Sequence, residues 1–439
     1  MHNDKESPYT LTLLDADLSL QVLHFSGQEK LNQPYRFEIE VIGLASALEL
    51  ERLPRQPAYL RLEGGSIIHG IVHSATREHR GQHGDSYKLV LVPHLQHLDG
   101  IRCRRVFHQL DVPTILLQLL QENALPVGSY RFELPAARYP QRPFCIQFDE
   151  SDLSFVQRLC EEEGIHYHFE HQRDGHVLVF ADDSTSLPQE PLLIGFCANA
   201  PHPANAPVIS ELFQRHTAAP VMAHRAADHH DRAQSSRRAL ERLRCGHRQI
   251  QGQSEHSAMR SGRIVQISEH AMANFNDQWL LTEVRHHGQP SALLTENTAG
   301  AAWAYKNRFT AIPWSTEFRP PLTQQRPAIP GYQPARVLGP IGQPACVDEQ
   351  GRIAVRLWPV GACDGDESCG MWVPIVLTAQ MGNSDSARLP VGGARVFVSF
   401  LDSDPDRPVL CAMASAPPTP AARRPGGDDR LLFDWLINR

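Results

Sequence analysis

The stretch from Tyr139 to Phe180, YPQRPFCIQFDESDLSFVQRLCEEEGIHYHFEHQRDGHVLVF, constrains the fold more than any other part of the chain. Phe144, Ile146 and Phe148 alternate with polar residues, the period of a half-buried strand. Ser151 is placed to cap a helix whose first turn carries Asp152, where the helix dipole favours an acid. Leu153, Val156, Leu159 and Cys160 then recur at three- and four-residue spacing and predict one apolar stripe. Gly164 follows the last of them, where a left-handed C′ residue is best without a Cβ. Ile165, Tyr167 and Phe169 resume alternation, Asp174-Gly175 supplies a hairpin turn, and Val177 to Phe180 returns. The expected unit is strand, capped helix, hairpin.

The words YPxR, the QF strand, ESDLSFVQRL and EEEGIHYHFEH resemble the VgrG family, the spike proteins of type VI secretion, whose first part is similar to the hub of contractile-phage baseplates. Asp152, Phe155, Arg158, Glu163 and Gly164 are the positions through which the resemblance runs.

At 439 residues the chain is too long for one core, and two to four domains are expected. A hydrophobic content of 41% fits a globular protein, and a net charge of -7 argues against a general nucleic-acid binder. No apolar run approaches the roughly 20 residues that cross a bilayer. MHNDKESPYT has no apolar core of a signal peptide. Nine cysteines without a C-x-x-C pair read as reduced thiols of a cytosolic protein, Cys363 and Cys369 included.

Short alternating strands are predicted over residues 9–25, 35–41, 67–72 and 87–92, forming an antiparallel barrel in residues 1–100. Asp111 and Pro113 open a helix with Ile115, Leu116, Leu119 and Leu120 inward, and a second barrel with the capped helix is placed in residues 101–195. Residues 196–312 are expected to be a loop-rich segment followed by returning strands that complete the hub. Within it a helix over 233–245 turns Ala239, Leu240 and Leu243 inward, and 259–288 resembles the family's RxGRxF…WLVTEVxH stretch. Prolines 313, 320, 321, 327, 330 and 334 make residues 313–334 an extended, semi-rigid connector.

Five short strands over residues 335–415 predict a small OB-like barrel. Gly351-Arg352, Trp372 and the run Asp404-Pro405-Asp406-Arg407-Pro408 resemble the family's domain between hub and needle, while Thr378 to Gly382 and Val409 to Met413 depart from its pattern. Residues 416–439 form a tail in which Leu431, Leu432, Trp435 and Leu436 lie at helical spacing, a candidate strip for docking a partner. That tail is shorter than a β-helix needle needs. The fold class is therefore mainly β with short helices (α+β): two hub-type β-barrels followed by a small OB-like β-barrel.

No motif for a hydrolase, phosphate loop or dinucleotide site is present. His166, His168, His171 and His176 cluster around the hairpin, but without a companion Cys or carboxylate pattern they read as surface histidines rather than zinc ligands. Glu161, Glu162 and Glu163 diverge around a helix and read as solvent face and packing rather than acid–base pairs. Arg352, Arg356 and Trp358 share one face of a strand, as in oligonucleotide binders, yet Asp348, Glu349, Asp364, Asp366 and Glu367 crowd it with like-signed acids. No catalytic residue, metal or cofactor is expected. Of three readings (injection-machine hub, metal-dependent hydrolase, oligonucleotide binder) the first is preferred, with the hub of a phage-like contractile particle as its variant. The resemblance implies a homotrimer with pseudo-sixfold symmetry on the Hcp tube, baseplate contacts and an effector or PAAR-like tip. It also implies assembly in the cytoplasm and export through the machine. Strands 35–41 and 353–358 are expected to offer edges to such a ring.

Overall fold

A computed structural model describes residues 7–42, 50–79, 85–172, 174–198, 207–217, 232–290, 303–359, 370–375 and 389–413. The chain divides into two compact units, residues 1–327 and 328–439.

The first unit opens with a closed ring. Strands β1 (Thr10–Leu13), β2 (Leu18–Lys30), β3 (Gln33–Ile42), β4 (Pro57–Arg61), β5 (Ile67–His79) and β6 (Asp85–Val92) pair in the order β1-β4-β5-β6-β3-β2, and β2 returns to β1. Every strand thus has two neighbours, so β3 is not the edge expected of it. Alternation sends Leu11, Leu13, Phe25, Phe37, Ile39, Leu60 and Leu89 into one core. Gly27 lies against the Phe37 ring, and a Cβ there would fall 2.0 Å from a ring carbon, so glycine is what lets the aromatic fill this barrel.

A second ring follows much later in sequence than the 101–195 expected for it. It uses β12 (Leu192–Gly195), β13 (Ile209–His216), β14 (Arg248–Ser254), β15 (Ile264–Ser268), β16 (Gln278–Pro290) and β17 (Trp303–Pro313). The order is β12-β15-β16-β17-β14-β13, closed by a parallel bridge from Ile209 to Phe196 just past β12. Trp279, Leu281, Val284, Phe309 and Ile250 fill it. The long strand β16 also pairs with β2, which fuses the two rings into one 12-stranded sheet. The loop-rich segment of residues 196–312 is therefore the body of barrel two rather than its completion.

Residues 101–187 instead make an α+β lobe inserted between the barrels. Strands β7 (Cys103–Leu110) and β9 (Arg142–Glu150) pair with each other. The hairpin β10 (His166–His171) and β11 (His176–Ala181) adds β8 (Tyr130–Glu133) in parallel. Between them lie α1 (Val112–Glu122) and α2 (Asp152–Glu163). The caps are as anticipated: Asp111 accepts from Thr114 N at 2.9 Å, Ser151 from Ser154 N at 3.2 Å, and Gly164 closes α2 with φ 73°. Both predicted stripes are buried in one lobe core with Phe107, Phe155 and Phe180.

Helix α3 (Arg232–His247) differs from expectation. Leu240 is exposed and Ala239 and Leu243 are half-buried, whereas Arg238 and Cys245 are buried. The helix docks a charged stripe, not an apolar one, because the surface it meets is itself charged.

The second unit is a five-stranded barrel: β18 (Tyr332–Val337), β19 (Arg352–Leu357), β20 (Met371–Pro374), β21 (Arg395–Phe400) and β22 (Pro408–Met413). The order β20-β19-β18-β21-β22 closes through a parallel bridge between Ile375 and Leu410, the connectivity of an OB fold. β19 is paired on both sides and is not an edge either. Trp358 does not continue its outward face: at φ 45° the backbone leaves the strand, and the indole donates to Gln333 at 2.9 Å.

Candidate functional site

The motif residues of α2 converge on a buried charge node. Asp152 accepts from Asn123 at 2.8 Å, Gln147 at 2.9 Å and the Arg105 guanidinium, tying α1, β7 and β9 to the helix start. Phe155 packs against Phe107 with ring centroids 5.5 Å apart, and Arg158 lies over its face. Arg158, itself buried, binds Glu150 at 2.6 Å, Glu162 at 3.1 Å and the Ile146 carbonyl at 3.0 Å.

The three glutamates expected on the solvent face are the centre of this node. Glu163, 2% exposed, bridges Arg142 of β9 at 2.7 Å and Arg238 of α3 at 2.8 Å. Burial alone would raise the Glu162 carboxyl, but Arg158, Arg142 and Arg326 bring it down to about 2. Glu161 accepts from Thr323 N at 2.7 Å, Thr323 Oγ1 at 2.5 Å and Gln324 N at 2.7 Å. Its own carbonyl accepts from Arg242, whose guanidinium burial lowers to about 10 with Arg238 and Arg319 alongside.

The start of the proline-rich connector is therefore strapped down rather than free-standing. Arg319 donates to the Gly164 carbonyl at 3.1 Å and the Asp182 carbonyl at 2.5 Å, and pairs with Glu241 at 2.6 Å. Cys245 accepts from Arg319 N at 3.4 Å. Sequence reasoning met Arg142 only as the last residue of the YPxR word, without its role, and missed Arg238, Arg242 and Arg319. A signal for the α3 residues existed: Arg238, Glu241, Arg242 and Cys245 recur at helical spacing on one face.

The histidines read as surface residues are mostly buried. His166 and His168 are at most 2% exposed and His176 is 6% exposed. They form a seam between the lobe hairpin and barrel one: His69 N donates to His171 Nδ1 at 3.1 Å, and His94 N donates to His176 Nε2 at 3.2 Å. Tyr35 fills the space between, its ring 5.2 Å from His171 and 5.8 Å from His176. Burial pushes His171 down to about 3 and His176 to about 2, and holds His166 well below its ordinary value. Among the described residues no group of three or more His, Cys, Asp or Glu is placed to hold a metal.

The second unit carries the other motif positions. Gly351 has φ 75° in the turn before β19, and Arg352 pairs with Asp348 at 2.7 Å. Trp372 of β20 stands opposite Ala354 of β19. Asp404 accepts from Asp406 N at 3.0 Å and Arg407 reaches Asp402 at 2.8 Å, so this run is a self-bonded turn between β21 and β22. Gly351, Asp404, Asp406 and Arg407 lie in turns, and Arg352 and Trp372 lie in β19 and β20. Leu431, Leu432, Trp435 and Leu436 lie outside the described residues, as do Asp364, Asp366, Glu367, Cys363, Cys369 and Thr378 to Gly382.

Comparison with known proteins agrees with this architecture. The type VI secretion spike proteins VgrG4b and VgrG5 of Pseudomonas aeruginosa are 35% and 34% identical, over 98% and 92% of this chain and 59% and 57% of their own lengths. The chain thus spans about three-fifths of the length of the curated relatives it matches. Among solved structures, the E. coli c3393 protein, described as a type VI secretion component with structural similarity to the T4 tail proteins gp27 and gp5, superposes with a TM-score of 0.71. It shares 25% identity, over 90% of this chain and 97% of that one. The profile of the phage tail baseplate hub (GPD) matches residues 28–205 and 197–292, which contain most of both barrels and the whole lobe. The chain belongs to the phage tail baseplate hub family, and its VgrG resemblance extends across both units.

Proposed function

We propose that this chain is the structural hub and spike base of a type VI secretion machine. The observation that carries the reading is the fusion of two closed rings through the shared strand β16, followed by an OB-type barrel. Two similar rings per chain suit a homotrimer that presents six ring positions to the hexameric Hcp tube. In this reading the chain performs no catalysis and takes no cofactor. The α2 node anchors the start of the connector, Arg319 to Arg326, on the hub. Baseplate components surround the trimer, and an effector or PAAR-like tip rides on it, with Leu431, Leu432, Trp435 and Leu436 as a docking strip. The protein assembles in the cytoplasm and leaves through the machine.

A second reading, the hub of a phage-like contractile particle, is favoured by the family profile itself. Mixing the purified chain with Hcp tube rings and sedimenting the mixture separates these. Co-sedimentation with Hcp, lost when the tube end is blocked, supports the type VI assignment. Failure to bind Hcp overturns it. Deleting residues 428–439 should leave the melting curve unchanged and abolish capture of the tip or effector. Capture that survives the deletion removes the tail from the proposal.

A further inference from the structure

The outward face of the fused sheet carries a row of cations whose placement the fold does not require. Strand register sets Arg36, Gln28, Arg285, Arg308 and Gln253 side by side across β3, β2, β16, β17 and β14. The adjacent row is Glu38, Ser26, His287 and Lys306. Together they line an open depression of about 630 Å³.

Within it Arg285 and Arg308 are direct cross-strand partners. Like charges in that relation destabilise a sheet pair. Among the described residues, the ion pair of Arg285 is with Glu283 on its own strand, at 2.7 Å, and that of Arg36 is with Glu38 at 3.6 Å. No ion pair among the described residues holds Arg308 or Lys306. In a chain of net charge -7 this is a local excess of positive charge.

We infer that this face binds an extended, acidic polypeptide segment of a partner protein. Five strands at about 4.8 Å spacing give a track of about 20 Å, the length of about six extended residues. The guanidiniums of Arg36, Arg285 and Arg308 offer paired donors to carboxylates, and Lys306 adds a point charge. Gln28, Gln253 and Ser26 between them supply donors and acceptors for a peptide backbone. No Phe, Tyr or Trp lines the depression, and its ring surface is confined to His286 and His287, less than the aromatic platforms on which single-stranded nucleic acid is held.

The test uses the full chain and a fluorescein-labelled peptide alternating glutamate with serine, with its glutamine counterpart as control. The glutamate peptide should bind and the glutamine peptide should not, with binding weakened as salt rises from about 50 to about 300 mM. Arg308→Gln and Lys306→Gln together should weaken binding about tenfold or more, as expected for loss of unopposed charges, while Arg308→Lys retains most of it. Because Arg308→Gln relieves the repulsion on Arg285, its melting temperature should be equal to or above that of the parent. A lower melting temperature with unchanged peptide binding would mean that the row is structural and would overturn the assignment. So would an oligothymidylate of equal charge binding more tightly than the peptide with the same dependence on Arg308 and Lys306.

Discussion

Acidification should loosen the lobe from barrel one well before the carboxylates titrate. The imidazoles of His171 and His176 each accept a hydrogen bond from a backbone N–H, so only their neutral forms fit the seam. His171 faces Glu29 of β2, Arg260 after β14, His69 of β5 and His286 of β16; His176 faces His94, His171 and His69. Both have folded values below the unfolded value of about 6.5, at about 3 and about 2. Their contribution is therefore complete above pH about 6.5 and is lost as the pH falls below it, because the unfolded chain takes up protons that the folded chain refuses. Each costs about 1.4 kcal/mol per pH unit in that window, so at pH 5 the pair costs about 4 kcal/mol. Glu29 and Glu162, brought down to about 2, begin to matter only below about pH 4.5, and thus leave this window to the histidines. The measurement is the urea midpoint by circular dichroism from pH 7.5 to 5.0 at fixed ionic strength. His171→Asn with His176→Gln keeps an acceptor near each site without a titrating ring, and should flatten the dependence by about two protons. If the slope of the double variant matches the parent, the seam histidines are not the source of the acid sensitivity.

Glu163→Ala leaves Arg142 and Arg238 buried beside an empty site and should destabilise the first unit by about 3–5 kcal/mol, read by chemical denaturation. Arg326→Ala removes a half-exposed partner of Glu162 and should cost less than about 1 kcal/mol in the same assay. Gly164→Val meets both a positive φ and the Arg238 and Arg319 side chains at 3.3 Å, whereas Gly351→Val meets only its φ. The first should therefore lose well over about 1 kcal/mol and the second about 1 kcal/mol, and equal losses would contradict the packing around the end of α2.

Local features were legible in the sequence because their causes are local. The Ser151 and Asp111 caps, the left-handed Gly164 and the stripes of α1 and α2 follow from residues within a few positions of one another. Barrel two was not legible at its true place, because β16 reaches back to β2 and closure depends on one bridge between Phe196 and Ile209. No periodicity encodes such pairings. The burial of His166, His168 and Glu163 was hidden for a related reason. Alternation says that two residues share a face, but not that a second polar layer will cover it. Charged residues on α3 point to solvent when the helix is taken alone and to Glu163 once α2 is beside it. The OB barrel was recovered in strand number, but its first strand begins at Tyr332, inside the stretch assigned to the connector, and Trp358 left the face assigned to it where the backbone turned to positive φ.

The central claim is that this chain works as a symmetric hub, and its solution mass tests that most directly. One chain has a mass of 49.2 kDa. Sedimentation velocity at high protein concentration, with Hcp rings present, should show a species of three chains bound to the ring. A strictly monomeric chain that leaves the rings unchanged would contradict it.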